Sequence, residues 1–167
     1  MKQANCPLVA QPSRTGYPLN GLKTVSMASP SGQKKKENEM KFTVKELLQA
    51  GSHKWQEKDV DAVTLRNLED LCRKVNQLCY EPPMYASSCL RSLADQKRIN
   101  PKALGSSHLY GCAVDIADKN GRLALWLLSD IRRLEARGLW MEDPQYTKGW
   151  VHLQTYAPKS LNRVFIP

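Results

Sequence analysis

From Thr43 onward the apolar residues of this chain recur at helical or strand-like spacing; before it they follow neither period. Thr43-Val44-Lys45-Glu46 has the form of a capping box, and Leu47-Leu48 follow, so a short helix is predicted to start there. Gly51 to Trp55 reads as a loop. Asp59 or Asp61 caps a second helix running to about Tyr80, with Val60, Leu65, Leu68, Leu71, Cys72, Val75, Leu78 and Cys79 on one face. Glu81-Pro82-Pro83 stops it. Met84 to Leu90 reads as a strand, and Arg91-Ser92 lead into a short polar helix ending near Ile99. Asn100-Pro101 and Gly105-Ser106-Ser107 mark loops. Cys112 to Ile116 is a short apolar strand, and Lys119-Asn120-Gly121 is a turn. Leu123 to Arg137 reads as one amphipathic helix with Leu123, Leu127, Ile131 and Leu134 on a single face and Gly138 as its stop. Trp150 to Thr155 alternates as a strand does, and Val164 to Ile166 predicts a last edge strand. Helices first and short strands later predict an α+β fold, a small, mostly antiparallel sheet with helices packed on one face.

Residues 1–40 are rich in Pro, Gly, Ser and Gln, and end in the run KKKENE before Met40. They are expected to be disordered or loosely attached, with the folded domain spanning 41–167. Met40 is a candidate natural start, the purine-rich codons of Lys34 to Glu39 suiting a translated ribosome-binding region; intact mass of the native product tests this. The charge distribution agrees with that division: the first forty residues hold six basic and two acidic residues out of a net +9 for the chain. A basic balance suits an anionic partner such as nucleic acid, a membrane surface or a cell wall. No basic stripe with interleaved aromatics and no finger or RNA-binding signature occurs, which disfavours nucleic acid. No apolar run reaches the length of a membrane span, so no stable membrane insertion is expected. The first residues lack the apolar core of a secretory signal. Five cysteines, Cys6, Cys72, Cys79, Cys89 and Cys112, form no CxxC pair, and with the missing signal they predict reduced thiols and cytoplasmic synthesis. A monomer is expected.

The candidate chemistry lies in SSHLYGCAVDI (Ser106 to Ile116) and GWVHLQT (Gly149 to Thr155). Strand alternation puts Asp115 and Ala113 on one face, with Cys112, Val114 and Ile116 on the other. It likewise groups His152 with Trp150 and Gln154, opposite Val151 and Leu153. Each strand then has an apolar face for the core and a face bearing a potential ligand. Adjacent strands would bring Asp115 and His152 to one ion. His108 lies in a Gly/Ser-rich stretch that can curl back toward them, and Gly111 and Ala113 leave room for close approach. A His in a strand is more often a packed residue than a ligand. An Asp in an apolar strand needs a partner, because burying it unpaired is costly. A metal cation is one such partner and Arg91 is another. Catalytic zinc takes three N or O side chains and keeps one position open.

These strings resemble the zinc D-Ala-D-Ala carboxypeptidase and L-alanyl-D-glutamate endopeptidase family, whose patterns are S-x-H-x-x-G-x-A-x-D and, further on, W-x-H. Family members carry S-G-Y-R-S upstream, where this chain has Ser88-Cys89-Leu90-Arg91-Ser92. FTVKELL and NLEDLCRKVNQL are similar to the opening helices of the smaller members, so the resemblance covers about residues 41–167. It implies the compact α+β fold shared with the hedgehog signalling domain. It implies Zn2+ on His108, Asp115 and His152, and Arg91 as the cation that holds a substrate carboxylate or a developing oxyanion. An ion pair orienting Asp115 is the plainer role for Arg91. One departure matters. Many relatives place the general base three residues before the last His, and that position here is Gly149. Glu142 is the preferred substitute and Asp143 the alternative, carried back to the metal by a loop from Glu142 to Lys148. Ser106 and Trp150 are expected in the pocket, and His53 on the surface. The implied substrates are bacterial peptidoglycan stem peptides, cut by an endopeptidase or a carboxypeptidase. WVHLQTYAPKSLNRVFIP looks like phage-encoded relatives, which implies a phage lysis enzyme reaching the wall with a holin or after membrane damage. A zinc-containing wall-binding or structural phage protein without catalysis is the alternative.

Overall fold

A computed structural model describes residues 42–167; the expected disorder of residues 1–40, the candidate start at Met40 and the thiol of Cys6 lie outside the described residues. The structure is α+β, with a five-stranded sheet that is antiparallel except at one edge.

α1 (Val44–Gln49) opens with the expected capping box: Thr43 Oγ1 accepts from Glu46 N, and Glu46 accepts from Thr43 N. Asp61, rather than Asp59, caps α2 (Ala62–Asn76), its carboxylate accepting from Val63 N and Thr64 N. Leu68, Leu71, Cys72 and Val75 of α2 are buried at the spacing of one helical face. α2 ends four residues before the predicted Tyr80. Asn76 clamps the chain from far away in sequence, accepting from Phe42 N and donating to Phe42 O, both at 2.8 Å. Cys79, predicted on the core face, is instead exposed just past the turn that follows α2, at φ 54°. Cys72, Cys79, Cys89 and Cys112 are free thiols.

β1 (Ala86–Ser88) is shorter than the predicted Met84–Leu90 strand. Ser92 caps α3 (Leu93–Ile99) through Asp95 N. β2 (Ala113–Ala117) lies between β1 and β4 (Trp150–Gln154), antiparallel to both. The predicted helix over 123–137 is two pieces, α4 (Arg122–Leu128) and α5 (Arg132–Glu135). The break falls at Ser129-Asp130, where Ser129 Oγ donates to Trp126 O and Asp130 accepts from Arg132 N, giving the backbone local partners in place of helical ones. The start of α4 is held by Asp118, whose carboxylate accepts from Leu123 N and Ala124 N.

β3 (Trp140–Glu142) was not predicted. It pairs antiparallel with β4 and parallel with β5 (Val164–Phe165), giving the order β1-β2-β4-β3-β5. Val114 and Ile116 of β2, Met141 of β3, and Val151 and Leu153 of β4 turn into one core with residues of α1, α2, α4 and α5. α3 adds nothing to that core; its buried residue is Gln96, which faces the cleft described next. Among the described residues no helix is long and apolar enough to cross a membrane.

Candidate metal centre

β2 and β4 pair with Asp115 directly opposite His152. Because their neighbours Val114, Ile116, Val151 and Leu153 occupy the core, these two side chains emerge on the other face. His108 reaches the same point from a short 3-10 turn, Ser107–Tyr110, that leads into β2. That turn packs tightly on α2. Gly111, at φ 68°, has no room for a side chain, since a Cβ would come within 2.9 Å of Leu68 and 3.0 Å of the Thr64 carbonyl. One nitrogen from each His and one Asp115 oxygen lie within 4.8 Å of one another. All three side chains are buried.

The hydrogen bonds around the cluster identify the nature of the atoms that converge. His108 Nδ1 lies 2.6 Å from the Cys89 carbonyl, which only accepts, so Nδ1 carries a hydrogen and donates. Burial holds the His108 imidazole below its ordinary pKa despite the neighbouring Asp115, so the ring is neutral and Nε2 presents a lone pair. That lone pair faces Asp115 Oδ1 at 3.2 Å, and His152 Nδ1 approaches the same oxygen at 2.8 Å. Burial alone would raise the Asp115 pKa, yet the polar groups around the carboxyl outweigh it and hold it well below the usual range. His152 is pulled the other way: burial lowers its pKa, and Asp115 more than reverses this. A buried lone pair facing a buried carboxylate is unfavourable unless a cation lies between them. Two imidazole nitrogens and a carboxylate oxygen are the donor set that zinc prefers.

Arg91 stands behind Asp115. Its guanidinium donates to Asp115 Oδ2, to Ser88 Oγ at 3.0 Å and to Gln96 Oε1 at 3.3 Å. The orienting ion pair therefore exists, and it leaves Oδ1 to the two histidines. The Arg91 backbone N–H also bonds the His108 carbonyl, so the Ser88–Arg91 segment holds the segments that carry His108 and Asp115. Cys89 supplies only its carbonyl: its thiol is buried and, through burial and the Asp115 charge, held far above its ordinary pKa. That excludes it as a nucleophile.

The cluster opens into a cleft of about 960 Å³ whose lining includes Arg91, Glu142, Trp150 and Ser106. Glu142 is not carried there by a loop, as the sequence suggested. It closes β3, one residue beyond the Met141–Leu153 pair, on the side away from the core. Burial first, and the Asp115 charge second, raise its pKa, while His152 and Arg91 pull it down. Asp143 does not line the cleft; its carboxylate accepts from Gln145 N in the following turn. His53 is exposed, its ring against Trp55, and it does not line the cleft.

Gly149 has φ 92°, and its carbonyl accepts from Asp118 N at 2.9 Å. A Cβ there meets nothing within 4 Å, so the obstacle to a carboxylate at this position is backbone conformation and not space. Gly149→Glu is expected to destabilise the protein by about 1–2 kcal/mol and to give no gain in hydrolysis. Chemical denaturation and a wall-digestion assay check both halves.

Two cleft residues escaped the sequence reading. Thr147 is buried, and its hydroxyl has no hydrogen-bond partner among the described groups. Gln154 contacts His152 directly. The only advance signal was that strand alternation groups Gln154 with His152.

No family model and no curated protein matches the sequence. Among solved structures, the Serratia marcescens L-Ala D-Glu endopeptidase ChiX aligns with a TM-score of 0.40 and 22% identity, over 62% of this chain and 93% of that chain.

Proposed function

We propose that this protein is a zinc-dependent peptidoglycan peptidase that hydrolyses a peptide bond of the cell-wall stem peptide. The observation that carries the reading is the convergence of three buried potential ligand atoms, from His108, Asp115 and His152, at an accessible cleft. The motif resemblance around those residues supplies the substrate class. When bound, zinc would acidify a water and polarise the scissile carbonyl.

The chain's own residues account for the rest. Glu142, half-buried on the cleft wall, takes the proton from the attacking water as the new C–O bond forms. It returns that proton to the amine as the C–N bond breaks. Its raised pKa suits a group that must both accept and donate near neutrality. Arg91 has N–H groups left over after its three bonds and is the cation available for a substrate carboxylate or a developing oxyanion. Cleft-lining Tyr110, Trp150 and Tyr156 offer apolar surface to an extended peptide. The setting that fits the C-terminal sequence is phage lysis, the enzyme being made in the cytoplasm and reaching the wall with a holin.

Metal analysis together with mass spectrometry of peptides released from purified cell wall tests this. About one zinc per chain and released stem-peptide fragments are expected. Release of single D-Ala would make the enzyme a carboxypeptidase of the same site. The absence of metal, or full activity in His152→Ala, would overturn the proposal. Gly149, where many members of the resembled family carry a carboxylate, favours a second reading: a zinc-containing wall-binding or phage structural protein without catalysis. Bound zinc with no cleavage of any wall peptide would establish that one.

A further inference from the structure

Gln154 lies two residues beyond His152 on the same side of β4 and is buried. Three contacts fix its amide. Nε2 donates to the Tyr156 carbonyl at 2.7 Å, and because that carbonyl only accepts, the amide cannot be turned over. Oε1 therefore faces inward, accepting from the Ser107 hydroxyl at 3.1 Å and standing 3.2 Å from His152 Nε2. An oxygen with no hydrogen of its own at that distance calls for a hydrogen on Nε2. An imidazole that binds a metal carries only one, so with that hydrogen on Nε2 the lone pair falls to Nδ1, the nitrogen 2.8 Å from Asp115 Oδ1.

We infer that Gln154 is the positioning residue that holds His152 in its Nε2–H tautomer and so makes Nδ1 the metal-binding nitrogen. The inference rests on the metal-site reading above and adds what selects the binding nitrogen. The selection matters because Asp115 works against it. A carboxylate beside Nδ1 attracts the hydrogen to that nitrogen, where it would block the ligand position. Gln154 Oε1 offers the hydrogen a place on the opposite side of the ring. His108 is the mirror case, with the Cys89 carbonyl holding the hydrogen on Nδ1 and freeing Nε2. The two histidines thus present opposite nitrogens to one point, each selected by an acceptor from a different segment.

Gln154→Met keeps the length of the side chain and removes the strong acceptor, whereas Gln154→Glu keeps an acceptor opposite Nε2. Zinc affinity, read by competition with a chromophoric chelator, is expected to fall about tenfold to a hundredfold in Q154M. In Q154E it is expected to stay within about threefold of wild type, because a carboxylate accepts from the same N–H at least as well. Long-range 15N–1H spectra of the zinc-loaded wild type give an answer that depends on no variant folding. They are expected to show the His152 hydrogen on Nε2 and the metal on Nδ1. Metal on Nε2, or Q154M binding zinc as tightly as wild type, would overturn the inference while leaving the peptidase reading intact. A wild type that binds no zinc would overturn both.

Discussion

Asp115→Asn is expected to strip the protein of its metal and to destabilise it by about 3–5 kcal/mol, the usual result of removing one partner from a buried ion pair. The side chain is almost the same size, so the effect is electrostatic. Asp115 Oδ2 pairs with Arg91, and Oδ1 meets both histidines. The Asp115 side chain is 9% exposed and that of Arg91 16%, so the guanidinium has little water to turn to once the carboxylate is gone. An asparagine can offer Arg91 its oxygen only by turning its NH2 toward the histidines, which replaces a ligand by a donor. Turned over, it offers the metal a neutral oxygen and sets NH2 against the guanidinium. Neither arrangement restores both functions. His152→Ala makes a useful contrast. It should also lose zinc and, with it, several kcal/mol of transition-state stabilisation, on the order of a thousandfold in rate. It leaves the Arg91–Asp115 pair in place, so its stability in the presence of a chelator should fall by less than that of D115N. Denaturant midpoints with and without chelator, and zinc content by mass spectrometry, measure both effects. A D115N protein with wild-type midpoint and full zinc would mean that Asp115 is neither a ligand nor the anchor of Arg91.

What could be read in advance was what local pattern determines. The capping box at Thr43 and Glu46 and the face Leu68, Leu71, Cys72 and Val75 of α2 are properties of a few consecutive residues, and they recur in the fold. Two-residue alternation was enough to separate Asp115 and His152 from Val114, Ile116, Val151 and Leu153. The misreadings come from partners distant in sequence. Asn76 ends α2 early because it finds Phe42, and no pattern near Asn76 encodes that. β3 is three residues long, too short for alternation to register, and exists because β4 and β5 flank it. The same holds for the polar network around the cluster. Gln96 and Gln154 are ordinary surface types in sequence, and only the approach of Arg91 and His152 gives them buried partners. Asp130 is the local counterexample: its side chain bonds the backbone two residues on and splits a stretch whose apolar period is helical throughout.

Glu142→Gln is expected to slow wall-peptide hydrolysis by about a hundredfold to ten-thousandfold, the range for loss of a general acid–base group, while zinc stays bound. Glutamine keeps the shape of the side chain on β3 but cannot take a proton from water or return it to an amine. The pH dependence separates this from a packing effect. Burial raises the Glu142 pKa, the Asp115 charge adds to that, and His152 and Arg91 only partly oppose it. The base form is the active one, so the wild-type rate should fall with decreasing pH along a limb above the ordinary glutamate range. That limb should be absent from the residual activity of E142Q. Stability should move in the opposite sense. A carboxyl whose folded pKa lies above its unfolded value contributes stability that is fully present below the unfolded pKa and lost as pH rises through the folded one. At neutral pH the half-buried charge is therefore a burden, and E142Q should unfold no more easily than wild type there. Any advantage it has should shrink as the pH is lowered. A protein that loses activity because E142Q misfolds would show the reverse, a lower midpoint at neutral pH. Undiminished hydrolysis by E142Q, with the acid limb unchanged, would remove Glu142 from the mechanism and require another proton acceptor in the cleft.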